Sequence, residues 1–508
     1  MKKLYTIVSL MLSSLSIMAT DFKDCSMAIK SNISNNIEKS NTTVSINGST
    51  FSINGLKYDN TDLGNVELTN LQIIDGYSDG TMVYATSEPQ YITIGGEKVA
   101  ANFRGEVRNS KFRGILNLTV NGSNYIAMIG DKADELGQLP NAGFEEFHTA
   151  TVTIKDLLAP SGTFKSDEPN SWHSFQSATG SKKQYVGSSI DTYKEDNDKR
   201  TGSTDKRCVK IQSSIVKVVG IEKPANGTMT TGRLYAGSTS ATNAANNSTM
   251  DFADKDKDGN GDPFYPIFTT KPDAMTVWVK YKGNVKDHPY ATVKAILANG
   301  KVQDPEKDDY KKNVIARAAN AQIESKNFAW QELNIPFEYA NKNTPKGVLV
   351  TISTNAEAGK ASSNKSNLDV IYVDDIAMIY NSGLKSAQYK NTNLSFADNK
   401  AAIEIKGKAN EADFSIASDG EGAYISKVLK TNEGETGKST LYITITSNDL
   451  QKSNSFEVAI TDETATGIFN IKSNSNATSS TLYNLAGQQV SNSYKGIIIK
   501  NGKKYINK

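Results

Sequence analysis

Short alternating runs separated by tight turns organise most of the chain. Thr43-Val44-Ser45-Ile46 alternates polar with apolar, Asn47-Gly48 turns, Phe51-Ser52-Ile53 alternates again, and Asn54-Gly55 turns back. Asn-Gly between alternating segments is the strongest short hairpin signal, because both residues tolerate positive φ. Turns recur at Gly95-Gly96 and Asn121-Gly122, with Phe103 to Val107 and Ile115 to Val120 alternating between them. A period of two places every second side chain on one buried face. The pattern over residues 41–130 predicts about seven or eight up-and-down strands, one of them before Asn41, closed into a barrel that leaves no exposed edge.

Asp131 to Pro140 is polar and reads as a linker. Strand-like runs resume at Phe144-Glu145-Glu146-Phe147, Cys208 to Ile211, Met275 to Tyr281, Asn334 to Phe337 and Val370 to Ala377. They mark a second unit after the linker, closing on the Val370 to Ala377 run. Five further runs, Asn393 to Phe396, Ala401 to Ile405, Asp413 to Ile416, Ser439 to Thr446 and Phe456 to Ile460, fit a small immunoglobulin-like sandwich over residues 384–461. Such a unit would space other domains. The fold class expected is all-β throughout.

Length and charge narrow this picture. A chain of 508 residues is too long for one core, and about two to four domains are expected. Its 57 basic and 55 acidic residues leave a net charge of +2, with no basic block, which speaks against nucleic acid. Lys2 and Lys3 followed by the apolar Leu4 to Ala19 predict a signal peptide over residues 1–19 and an exported protein. No stretch has the length of a membrane-spanning helix. Phe22-Lys23-Asp24 before Cys25 does not fit a lipid-anchor site, so no acylation is expected there. Cys25 and Cys208 fall in different predicted units and are expected as unpaired thiols. Only three histidines occur, His148, His173 and His288, which argues against a His-rich zinc site.

Three resemblances follow from these runs. Gly64 to Leu71, Gly105-Glu106-Val107 and Gly114 to Val120 resemble the calycin-like, or lipocalin-like, domain of bacterial surface proteins over residues 22–132. The order from Phe144-Glu145 through Trp172, Trp278 and Trp330 to Val373-Asp374-Asp375-Ile376 is similar to the exported carbohydrate-metabolism (PCMD) β-sandwich family over residues 138–382, and to jelly-roll carbohydrate-binding modules. Phe147 departs from it, since that family more often has Trp there. Tyr483-Asn484-Leu485-Ala486-Gly487 and Gly502-Lys503-Lys504 resemble a type IX-like sorting or anchoring segment over residues 463–508. A final β-hairpin is the simpler alternative. The resemblance implies a structural calcium tying the first sandwich strand to the last, through Glu145 and Asp374, or Asp375 in its place.

The residues themselves suggest further chemistry. Asp254, Asp256, Asp258 and Asp262, with Gly259 for the turn, follow the first half of a calcium-binding loop, although Tyr265 stands where a bidentate Glu belongs. A solvated acidic loop balanced by Lys255 and Lys257 is the plain reading. Glycoside hydrolysis needs two carboxylates about 5–5.5 or 6.5–9.5 Å apart, and Glu145 or Glu146 with Asp374 or Asp375 is the pair to test. Trp172, in a polar loop, is the candidate sugar-stacking platform, with Tyr265 and Tyr281 assisting; Trp278 and Trp330 are expected in the core. Gly76-Tyr77-Ser78-Asp79-Gly80 matches a nucleophile-elbow pattern but lies between strands, so it is read as a turn. Gly434 to Ser439 likewise reads as a Gly-rich hairpin, not a phosphate loop.

The function expected is an exported periplasmic or surface protein that binds a polysaccharide or oligosaccharide through its central sandwich. A glycan-cleaving enzyme using the same carboxylates, and a structural or adhesive protein without glycan activity, are the alternatives.

Overall fold

The computed structural model describes residues 20–200, 202–465, 481–500 and 503–507. The predicted signal peptide and part of the predicted sorting segment lie outside them. The chain is nearly all β, with one four-residue α-helix, Lys183–Val186, among the described residues. No helix among these residues is long and apolar enough to cross a membrane.

The N-terminal unit is a single ten-stranded antiparallel sheet curled into a half-barrel. Two of its strands, Thr20–Ser31 and Ser34–Asn47, include residues before Asn41, and they raise the count above the expected one. The sheet does not close by strand pairing. Thr61–Leu68 ends one edge, and Gln90–Ile94 pairs only with Glu97–Arg108. A β-carbon added at Gly64 would meet Ile94 Cγ2 at 3.4 Å, so side-chain packing joins the two edges.

Aromatic rings fill the concave side. Phe51 stacks on Phe103 at 4.0 Å between centroids, and Phe112 lies parallel to Phe103 at 6.4 Å. Gly105 and Gly114 are cross-strand partners beneath these rings. A β-carbon at either would come within 2.6–2.8 Å of a ring carbon, so the missing side chains are what admit the stack. Rings packed in this way fill that part of the interior with side chains.

The central unit is a sandwich of two five-stranded antiparallel sheets. One carries Ala274–Lys282 and Val370–Ile379 at its middle, the other Ala291–Ala298 and Gly347–Ser353. Alternation builds the core between them: Met275, Val277, Val279 and Tyr281 from one sheet face Val293, Ala295, Leu297, Val348, Val350 and Ile352 from the other. The same parity turns Trp278 outward, where Arg200 lies over its ring at 5.0 Å. Trp330 shares that outer face, 6.4 Å from Tyr372. Both tryptophans expected in the core are therefore half-buried on the outside of the sheet.

The third unit pairs a three-stranded with a four-stranded sheet around Phe414, Leu441, Ile443, Ile445, Phe456 and Val458. It does not stand off as a spacer. Tyr424 and Leu450 pack with Ile115 and Ile126 on the convex face of the half-barrel, and Tyr424 Oη donates to the Thr86 carbonyl at 2.9 Å. Residues 131–140 are not a free linker either. Leu136 joins that seam and Leu139 enters the sandwich core, while Gln138 exchanges two hydrogen bonds with the Met378 backbone at 2.8 and 2.9 Å. Lys438–Thr446 follows the Gly434 turn as a strand paired with Tyr424–Thr431, as a hairpin requires. The C-terminal strands Leu482–Asn484, Gln489–Val490, Gly496–Lys500 and Lys503–Asn507 form a separate four-stranded sheet.

Candidate functional site

A cavity of about 430 Å³ opens on the outer face of the sheet that carries Ala291–Ala298 and Gly347–Ser353. Its floor follows from register. Lys294 is opposite Thr351, Thr292 opposite Ser353, and Thr228 opposite Ser353 on the next strand, so their side chains share the face that Val293 and Val350 do not use. The walls are the hairpin Ser214–Val218/Ile221–Ala225 and the pair Arg233–Ala236/Asn246–Met250. Val216, Val218 and Tyr185 make one side apolar, and Tyr235, 41% exposed, is an aromatic ring in the lining. Thr292 Oγ1, Thr351 Oγ1 and Asn226 Oδ1 are buried there without hydrogen-bond partners. Lys294 Nζ lies 3.2 Å from Asp304 Oδ1. Sequence reasoning missed this cleft, because Thr, Ser and Lys alternating with Val along a strand look like any solvated sheet face.

The aromatic residues predicted for stacking are elsewhere and buried. Trp172 is fully buried, 5.2 Å from Phe144, with Nε1 donating to the Pro140 carbonyl at 3.1 Å. Tyr281 lies in the sandwich core. Tyr265 is buried against the half-barrel, stacked on Tyr77 at 6.0 Å. None of the three rings offers a face to a sugar. Gly76 to Gly80 is a turn, as expected, and it docks the half-barrel: Ser78 N–H donates to Phe252 O at 2.8 Å, and Ser78 Oγ–H donates to the Asp254 carbonyl.

The acidic loop does not converge as a calcium loop. Asp256 pairs with Arg233 Nη1 at 2.6 Å, and Asp254 Oδ2 lies 3.6 Å from the same nitrogen. Asp262 Oδ2 accepts from the Ser171 N–H at 2.8 Å. Asp258 turns inward instead. Its Oδ1 accepts from the backbone of Asn260 and Asp262 at 2.9 and 2.8 Å, and its Oδ2 points at His148 Nε2 and His173 Nε2, 3.5 and 3.4 Å away. Burial pushes the Asp258 carboxyl up, but His173, the Asp262 N–H and His148 outweigh it and hold it below the usual carboxylate range. Arg233 thus takes the place a cation would have among the loop carboxylates.

The four carboxylates predicted as a hydrolytic pair do not form one in a cleft. Glu145 Oε1 caps the backbone N–H groups of Lys206 and Arg207 at 2.8 and 3.1 Å, and the exposed Glu146 lies 3.5 Å from Asn170 Nδ2. Asp375 is paired with Arg200. Asp374 is fully buried. Burial first, then the charges of Asp375 and Asp205, raise its carboxyl to about 7. One oxygen each from Asp205, Asp374 and Asp375 lies within 4.8 Å of the others. Asp205, not Glu145, is therefore the partner of Asp374. Cys25 and Cys208 are both free thiols.

No protein-family model matches the chain, and no curated protein matches it. Among solved structures, the chain is similar to the Bacillus thuringiensis insecticidal crystal protein Cry7Ca1 at 10% identity and a TM-score of 0.13, covering 71% of this chain. The match spans about half the length of that protein, 52%.

Proposed function

We propose that this chain is an exported carbohydrate-binding protein whose central sandwich holds a glycan in the cleft above Thr292, Lys294 and Thr351. The observation that carries the reading is the cleft itself. It combines an accessible tyrosine ring, an apolar wall and buried hydroxyl and amide oxygens that lack partners. Sugars need both an apolar surface for their C–H faces and fixed polar groups for their hydroxyls. The volume of about 430 Å³ lies in the range of about 300–1,000 Å³ usual for small-ligand sites.

Binding without hydrolysis is the favoured form of this reading. Among the described residues that line the cleft, Asp304 is the one carboxylate, and it is paired with Lys294. Hydrolysis of a glycosidic bond takes two. Calcium keeps a structural place in this reading, at Asp374 and Asp375 on the other sheet with Asp205 from the loop before Cys208–Gln212. Export rests on the leader-like first 19 residues. Surface anchoring rests on the C-terminal segment, whose strands and turns leave Leu485, Tyr505 and Ile506 exposed.

The test is a glycan array probed with the full chain, because the sandwich shares a buried seam with the half-barrel. Specific binding that Tyr235→Ala weakens at least about tenfold supports the reading. Binding to no glycan, or binding that Tyr235→Ala and Lys294→Ala leave unchanged, overturns it.

A further inference from the structure

Two of the chain's three histidines meet two buried carboxylates at a point the cleft does not use. His148 and Glu168 are direct cross-strand partners in the hairpin Phe147–Ile154/Gly162–Pro169, so their side chains rise together on one face. His173 is fixed by a reciprocal pair of backbone hydrogen bonds with Thr230, at 2.8 and 3.0 Å, and by Phe264 at 4.6 Å from its ring. The Asp258 turn brings the last carboxylate. The side chains of Glu168, His173 and Asp258 are fully buried, and that of His148 is 11% exposed.

The outward atoms of three of these groups are tied down, and the inward ones are largely not. His148 Nδ1 lies 3.2 Å from Asn170 Oδ1, an acceptor that fixes the proton on Nδ1 and leaves a lone pair on Nε2. Glu168 Oε1 accepts from Ser174 N–H at 2.8 Å, and its Oε2 accepts from Ser177 Oγ at 2.5 Å while standing 3.7 Å from His148 Nε2. Asp258 Oδ1 is held by two backbone N–H groups. His148 Nε2, His173 Nε2 and Asp258 Oδ2 have no hydrogen-bond partner although all are buried. Leaving one such atom unpaired costs about 1–3 kcal/mol, so three converging in one place mark a missing common partner.

The spacing identifies the partner's class. His148, Glu168 and Asp258 each place one donor atom within 4.8 Å of the other two. Metal–ligand bonds of about 2.0–2.1 Å in tetrahedral geometry put neighbouring donors about 3.3–3.4 Å apart. The separations of 3.4, 3.5 and 3.7 Å are close to that and long for good N–H···O bonds. An imidazole among the donors favours zinc and its neighbours over calcium or magnesium.

We propose that His148, Glu168 and Asp258 bind a zinc-class divalent ion, with His173 Nε2 beside Asp258 Oδ2 at 3.4 Å. The enclosure of the donors makes the centre structural. It pins the hairpin at residues 147–169, the turn at 170–177 and the acidic loop at 254–262 to one point. Phe175 in that turn lines the cleft, so the ion braces one of its walls.

The test uses the full chain without a histidine tag, metal-stripped and then reloaded with Zn²⁺, with content measured by mass spectrometry. About one tightly held equivalent is expected, and Co²⁺ in its place is expected to give the visible absorption of a tetrahedral site. His148→Gln and Asp258→Asn are expected to lower retained metal at least about tenfold, with His288→Ala unchanged. Circular dichroism on each variant separates loss of the ion from loss of fold, and the Co²⁺ spectrum of the unmutated chain stands whether or not the variants fold. No retained zinc and no Co²⁺ spectrum in the unmutated chain overturns the proposal. So does retention by folded His148→Gln and Asp258→Asn.

Discussion

Ser78 Oγ in the half-barrel and Tyr265 Oη in the sandwich lie 2.8 Å apart. Tyr265 Oη also accepts from the Asp79 N–H at 3.3 Å. A serine inside a G-x-S-x-G pattern and a tyrosine cast as a sugar platform are thus the two halves of one docking contact. Around them Ile74, Tyr77 and Val83 pack with Phe252 and Leu349, and Arg104 Nη1 donates to the Thr269 carbonyl at 2.8 Å.

Removing either half of this contact loosens the two units and leaves glycan binding alone. Tyr265→Phe and Ser78→Ala are each expected to cost about 1–2 kcal/mol, the loss of a buried hydrogen bond with a partner left behind. Urea unfolding followed by fluorescence reads this, and a separate early transition for the half-barrel is the expected signature.

The aromatic stack in the half-barrel depends on the paired glycines. At Gly114 an added methyl lies 2.8 Å from Phe112 Cζ and 3.0 Å from the Arg104 carbonyl oxygen. Backbone cannot yield as a side-chain tip does, so Gly114→Ala is expected to destabilise by about 1–3 kcal/mol. Gly48→Ala meets no atom within 4 Å but sits at φ +57°, and is expected to cost about 1 kcal/mol through backbone strain alone. Thermal melts of the two variants rank them.

Trp172 and Tyr235 separate stability from recognition. Trp172→Ala opens the core beside Phe144 and is expected to cost about 3–5 kcal/mol. Tyr235→Ala is expected to change stability by less than about 0.5 kcal/mol and to remove most glycan affinity. Denaturant melts beside binding titrations of both variants check the separation.

Asp374 makes stability depend on pH with a definite sign. Its carboxyl is raised in the fold from the ordinary 3.8 to about 7. Between those values the folded chain holds a proton that the unfolded chain has released, so this contribution is full below about pH 3.8 and is lost as pH rises to about 7. In chelator-treated protein, Asp374→Asn is expected to remove this slope, at most about 1.4 kcal/mol per pH unit, over that interval. Millimolar Ca²⁺ is expected to stabilise the unmutated chain at pH 7 and not the variant, since the cation replaces the proton. Melting temperature against pH, with and without Ca²⁺, reads both effects.

The β character of the chain and the main strands of its three units were legible because alternation and Asn-Gly turns act locally. Side-chain parity is misread at Trp278: the Val-Trp-Val run reads as core, yet with Met275, Val277 and Val279 inward, alternation turns Trp278 outward. Other features depend on distant segments. Trp172 lies in a polar stretch yet is buried, because Phe144 and Pro140 fold over it. The acidic loop carries calcium-loop spacing, but Arg233 enters it from a neighbouring strand. Counting three histidines argues against a zinc-like cluster, whereas strand register and one turn place two of them beside Asp258. The cleft was illegible for a related reason: its floor is ordinary sheet surface, and only the hairpin at 214–225 turns that surface into a pocket.

The central claim is that a glycan occupies this cleft, and amide hydrogen exchange on the full chain with and without a glycan identified on the array tests it most directly. The account predicts slowed exchange in Thr228–Thr230, Arg233–Ala236 and the hairpin at 214–225, with little change in Ala274–Lys282 on the opposite sheet. Protection confined to that opposite sheet, to the half-barrel or to the C-terminal strands would contradict it.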